Sequence, residues 1–247
     1  MPLENYQLLF YLLALLAEIV GTVTGFGSSI LFVPIAALFF DFHLVLGITA
    51  VFHVFSNLAK IALFRKGIQK NIVIKLGLPA IVGVIIGAWL TNYIPVKWVE
   101  ATMGLLLIIL SLVLMFKQSL QLSTKDINLY LGGASSGFLA GLICTGGAIR
   151  GITMVAFNLE KSVFVATSAM IDLGVDSSRA AIYIYHGYFT QSHLYLIPFL
   201  LLISVLGSYL GKLILQHTSQ LVFRYIALAV IILTSVWQLF QLVQPFL

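Results

Sequence analysis

Asp172, Asp176 and Arg179 stand at i, i+4 and i+7, so on a helix they share one face. Such a face could set a proton-titratable carboxylate beside an anion-binding guanidinium. It could equally hold Asp176 and Arg179 as a self-neutralising pair, with Asp172 capping a local network. His53, Asn57 and Lys60 repeat the spacing earlier in the chain. Lys60 lies near the end of its segment, where a long stem lets an ammonium snorkel to water. His53 reads as an ordinary helix contact rather than a switch. The planar fork of Arg150 suits a bidentate grip on an oxyanion, or an acid that it pairs with to hold helices together. Glu18 fits burial or a vestibule equally well. The single cysteine, Cys144, reads as a small buried hydrophobe. No nucleophile–base pair is evident, no His/Cys cluster has metal-ligand spacing, and no phosphate-cradling glycine loop follows a strand. No catalytic residue, metal or cofactor is expected.

Two glycine-rich stretches come next. The first runs Gly21-Thr-Val-Thr-Gly-Phe-Gly-Ser-Ser29 and the second Gly141-Leu-Ile-Cys-Thr-Gly-Gly147. Each interrupts an apolar run too long for one ordinary crossing, at about 6–40 and 127–158. A helix broken at membrane depth exposes amides with no partner in their own segment, and such backbone survives only against protein or a wet cavity. Helix N-termini favour anions through those amides and the macrodipole. Thr24, Gly25, Gly27, Ser28 and Ser29, facing Thr145, Gly146 and Gly147, would bring two tips to one anion site. Asn57, Arg150, Asp176 and Arg179 complete the expected substrate-binding set. The competing reading is that the glycines merely let helices pack closely.

The elements that carry these residues must be membrane helices. Of 247 residues, 61% are hydrophobic and 9% charged, against about a quarter charged in soluble domains. The mean hydropathy is +1.10. Long Leu/Ile/Val runs without alternation favour helices over a barrel. Further apolar segments fall near 44–64, 76–94, 98–116, 162–186, 194–213 and 221–243. Trp89, Tyr93, Trp98 and Trp237 sit near segment ends, as interface anchors do. The formal charge of +5 lies mostly in short loops, where it orients a membrane protein rather than binding nucleic acid. The first segment lacks a basic leader and a small-residue cleavage site, so it reads as a mature span.

The chain also repeats itself. A gapless shift of 120 residues superposes Gly21 on Gly141, Gly27 on Gly147, Gly67 on Gly187 and Gly87 on Gly207. The shift also lays Ser56 on Asp176 and Asn57 on Ser177. If each long broken segment returns to the face it started from, the halves are inverted. Nine basic residues (Arg65, Lys66, Lys70, Lys75, Lys117, Lys125, Lys161, Lys212 and Arg224) then face the cytoplasm and only Lys97 lies outside. If each crosses once, the split is six to four. The positive-inside rule favours the first arrangement. The expected fold is an all-α polytopic membrane protein of two inverted-topology repeats, 1–120 and 121–247. Each repeat would be a broken helical hairpin plus about three transmembrane helices, with both termini external.

The pattern Thr24-Gly-Phe-Gly-Ser-Ser-Ile-Leu-Phe-Val-Pro34 resembles the first-repeat signature of the sulfite exporter TauE/SafE family. There a Gly-rich break precedes a short apolar helix containing proline. Gly141–Gly147 looks like its second-repeat partner. Ser28-Ser29 and Ala148-Ile149-Arg150 depart from the usual glycine clusters. The resemblance implies a transporter of small sulfur-containing oxyanions (sulfite, sulfonates or sulfoacetate) in the cell membrane, not an enzyme. The full reading is a secondary transporter working by alternating access, with an anion channel as the alternative. Its partners would be a small anionic substrate, the lipid bilayer and a coupling proton or other ion, with no nucleic acid. Oligomeric state is not legible.

Overall fold

The computed structural model describes residues 4–64, 67–95, 124–157 and 159–217, with short pieces between 97 and 112 and single residues at 236 and 240. Arg65, Lys66, Lys117, Arg224 and Trp237 lie outside the described residues, as do most of the expected segments 98–116 and 221–243. The described elements are helical: α1 (Glu4–Thr24), α2 (Ser29–Ala36), α3 (Phe42–Leu63), α4 (Lys70–Thr91), α5 (Asp126–Ile143), α6 (Gly147–Val155), α7 (Lys161–Tyr185) and α8 (Ile197–His217). A 3-10 turn over Gln191–Leu196 leads into α8.

Residues Gln7–Thr24, Phe42–Leu63, Lys70–Thr91 and Gln191–His217 are each long and apolar enough to cross a bilayer. Leu8, Leu12 and Leu16 on α1, Leu78, Val82 and Ile86 on α4, and Leu202 and Leu206 on α8 are exposed. Such apolar faces suit lipid rather than water. With 25 residues, α7 is about 38 Å long at 1.5 Å per residue. It carries Asp172, Asp176 and Arg179 mid-length, where each is buried or nearly so.

The two long segments do break, at residues 25–28 and 144–146. After the first break α2 folds back along α1: the Phe10 ring meets Phe39 at 5.6 Å and Phe40 at 5.0 Å. All eight residues of α2 are buried. In the second break, α6 packs against α5 in the same way.

Side-chain pairs give the helix directions. His53 meets Arg179, Asn57 meets Asp176, and Gly47 abuts Tyr188, so α3 and α7 run antiparallel. Tyr11 stacks on Phe199 and Gly207 lies against Glu18, so α1 and α8 run parallel. Between α4 and α5, Gly133, Gly137 and Gly141 abut Leu76, Ala80 and Val84 in order, another parallel pair. At that seam the backbones touch through small residues, the arrangement that lipid favours. Lys75 pairs with Asp126 at 2.5 Å and ties the starts of α4 and α5 together.

Candidate functional site

The first break is shaped by Gly25 and Gly27, whose φ values of +69° and +91° suit a residue without Cβ. They stop α1 and let the chain turn into Ser28, the N-cap of α2. In the second break Cys144 takes the left-handed conformation itself, with φ +59°, and ends α5 with its amide on the Ala140 carbonyl. A non-glycine residue there stores about 1 kcal/mol or more of strain. Gly147, which opens α6, lies so close to the Phe26 carbonyl that a Cβ would strike it. Two half-helices therefore begin side by side in the bundle interior. Leu31 in the first turn of α2 reaches the Ser28 carbonyl at 3.1 Å, while the earliest amides of each half-helix lie ahead of any carbonyl of their own helix.

One cavity opens at this junction. It is lined by Gly27, Ser28 and Ser29 from the first break, and by Cys144, Gly146, Gly147 and Arg150 from the second. His53, Ser56, Asn57 and Lys60 of α3 close one wall, and Asp172, Val175, Asp176 and Arg179 of α7 another, with Ala140 of α5 between. Of the twelve sequence-derived site residues, three stand apart. Thr24 turns back on its own helix, bonding the Val20 carbonyl at 3.0 Å and receiving the Phe26 amide. Gly25 borders an adjacent cavity that also touches Gly27, Asn57, Lys60 and Asp172. Thr145 is buried, with its hydroxyl unpartnered among the described residues, but lies outside the cavity lining.

Arg150 and Asp172 form an ion pair across α6 and α7. Arg150 Nε donates to Ser168 at 3.0 Å, and Ser168 in turn donates to the Gly25 carbonyl at 3.1 Å. Arg150 Nη2 is buried without an acceptor among the described residues. A Cβ placed on Gly27 would stand 3.7 Å from that nitrogen, and one on Gly147 3.4 Å. The space vacated by the two missing side chains thus flanks one free N–H donor. The ion pair matches the sequence reading in which Arg150 holds helices together through an acid.

Arg179 pairs with Asp176 at 2.7 Å, as the i, i+3 spacing allows. Asn57 donates to the other Asp176 oxygen at 2.6 Å. Arg179 also meets His53 Nδ1 at 3.0 Å. A guanidinium can only donate, so Nδ1 accepts and the ring proton sits on Nε2, which faces Ser28 Oγ at 3.0 Å. Ser28 then donates to Glu18 at 2.7 Å. His53 is therefore not a plain helix contact: it links α7 to the first half-helix. The sequence carried no signal for that partner, 126 residues away.

Lys60 also departs from expectation. It does not snorkel. The residue is 5% exposed, and its ammonium pairs with Glu18 at 2.8 Å. Glu18, fully buried, takes further donors from Ser56 at 2.6 Å and Ser208 at 2.9 Å. A buried acid explains a lysine held inside: the pair replaces water that neither could reach. Asp172, not Asp176, is the acid on Arg150. The cavity and its rim thus hold Lys60, Arg150 and Arg179 against Glu18, Asp172 and Asp176, three charges of each sign. No group of three or more His, Cys, Asp or Glu residues that could hold a metal is found among the described residues.

Neither the curated proteins nor the solved structures compared with the chain include a match. The profile of the family described as sulfite exporter TauE/SafE matches residues 10–237 of the 247. That span takes in both breaks, both carboxylate-bearing helices and every cavity residue named above. With its helical bundle and apolar spans, the chain belongs to the sulfite exporter TauE/SafE family of membrane transporters.

Proposed function

We propose that the chain is a secondary transporter that holds a small sulfur-containing oxyanion between its two half-helices and moves it by alternating access. The observation that carries this reading is Arg150 Nη2, buried without an acceptor among the described residues and flanked by Gly27, just before the first half-helix, and Gly147, which opens the second. A donor left unpaired in a protein interior costs roughly 1–3 kcal/mol. An oxyanion seated there would accept from it and from the first-turn amides of α2 and α6. Ser28 and Ser29 hydroxyls border the same space.

The two repeats, 1–120 and 121–247, are proposed to be inverted and to rock about the site. Support comes from the directions: α3 and α7, which correspond under the 120-residue shift, run antiparallel.

A thermal-shift panel on the purified protein tests the reading. Sulfite, thiosulfate, methanesulfonate and sulfoacetate should raise the melting temperature, since a ligand at a hundred times its Kd stabilises by about 2.7 kcal/mol. Acetate and chloride should not. A panel with no sulfur oxyanion effect, or one matched by acetate, rejects it. Steady single-channel conductance in planar bilayers would replace the carrier with a channel.

A further inference from the structure

We infer that Asp172 is the proton site of this transporter and that a monovalent anion crosses together with one proton. The inference rests on the proposed anion site and adds what accompanies the anion.

Charge balance is the starting point. The three cations of the site are already matched by three carboxylates. A further anion brought into this enclosed interior leaves one negative charge uncompensated, which a low-dielectric site strongly disfavours. A proton arriving on one carboxylate removes the cost.

Geometry selects which carboxylate. Glu18 receives Lys60 and the hydroxyls of Ser28, Ser56 and Ser208, so its charge is well supported. Asp176 has Arg179 and Asn57. Asp172 has Arg150 as its one hydrogen-bonding partner among the described residues. That partner is the very guanidinium an oxyanion would engage. Asp172 is also the most exposed of the three, with 13% of its side chain accessible against 0% and 7%. It borders both the central cavity and the adjacent one beside Gly25 and Val165, so it faces a second space through which a proton can reach it. The other ionisable groups lining those two cavities are His53 and Lys60 of α3, Cys144 and Arg150 of the second break, and Asp176 and Arg179 on its own helix. His53 is committed to Arg179 and Ser28.

The cycle balances. The anion takes the guanidinium of Arg150, and the Asp172 carboxylate gives up that contact and gains a proton from the open side. The loaded site has the same net charge as the empty one. On the far side the anion leaves, Asp172 releases its proton, and the Arg150 pair re-forms. Movement of a monoanion is electroneutral.

The test uses the full chain in proteoliposomes with labelled methanesulfonate, a strong-acid anion whose own charge does not change near neutral pH. A lumenal pH dye and a potassium–valinomycin clamp report protons and voltage. Wild-type protein should accumulate the anion about tenfold per pH unit when the outside is acid, because one unit is 1.36 kcal/mol per proton. The lumen should acidify in step, and a voltage clamp should leave the plateau unchanged. Asp172→Asn should lower the flux and bring the ratio of acid-driven to equal-pH accumulation close to one. Wild-type accumulation that ignores the pH gradient or follows voltage overturns the inference, as does an Asp172→Asn variant that still concentrates the anion tenfold. Equal-pH exchange of labelled methanesulfonate separates the two layers. Exchange without proton coupling rejects this inference alone, while no exchange of methanesulfonate, sulfite, thiosulfate or sulfoacetate rejects the transport reading and this one with it.

Discussion

The carbonyl of Phe26 lies directly against Gly147, so the first chain break touches the residue that opens the second half-helix. Neither break is a site alone. Their contact places the first turns of α2 and α6, with Arg150 between them, around one cavity.

Gly147→Ala tests that contact. The added Cβ would strike the Phe26 carbonyl, a backbone atom that cannot swing aside, so the two tips must separate. Overpacking of this kind costs about 1–3 kcal/mol. Transport in proteoliposomes should fall tenfold or more while membrane insertion and yield persist. Wild-type flux in the variant would mean that the tips need not touch for function.

Arg150→Lys keeps the charge and removes the fork. An ammonium can pair with Asp172 but cannot at the same time reach Ser168 and the space beside Gly27 and Gly147. Anion affinity, read by the ligand-induced melting shift, should weaken about tenfold or more, in line with roughly 1.5–3 kcal/mol for a charged hydrogen bond. The melting temperature without ligand should change far less. An unaltered affinity would assign Arg150 to helix packing alone.

Glu18→Gln strands the buried Lys60 ammonium. Removing one partner of a buried pair costs about 3–5 kcal/mol, so this variant should melt well below wild type. Replacing both, as Glu18→Leu with Lys60→Met, should recover most of the loss. If the double variant is as unstable as the single one, the pair is not what holds α1 to α3.

The inverted arrangement can be read from labelling. In a Cys144→Ala background, a cysteine at Lys70 and one at Ser192 should react with a membrane-impermeant maleimide from opposite faces of intact cells or spheroplasts. Lys70 opens α4, and Ser192 lies in the turn before α8. Labelling of both from one face would contradict the directions inferred for the two halves.

Much of this was legible in the residues. The apolar runs announce membrane helices because lipid leaves no alternative for backbone amides. Clustered glycines locate both breaks within a few residues: in the first, Gly25 and Gly27 take the left-handed turn themselves, and in the second, Gly147 lets the Phe26 carbonyl approach while Cys144 makes the turn. Nine of the twelve residues proposed from pattern alone line the cavity. Gly25 and Thr145 lie outside that lining, and so does Thr24, whose hydroxyl bonds its own helix as easily as it could face a ligand.

What the linear order could not reveal was pairing. Lys60 read as a snorkelling lysine because its distance from a helix end was visible and Glu18 beside it was not. His53 read as packing because Arg179 arrives from another helix. Local periodicity says which side chains share a face, a property of one helix. The acid each base meets, and the guanidinium nitrogens of Arg150 and Arg179 left without an acceptor among the described residues, depend on how separate helices cross. Only the folded bundle decides that.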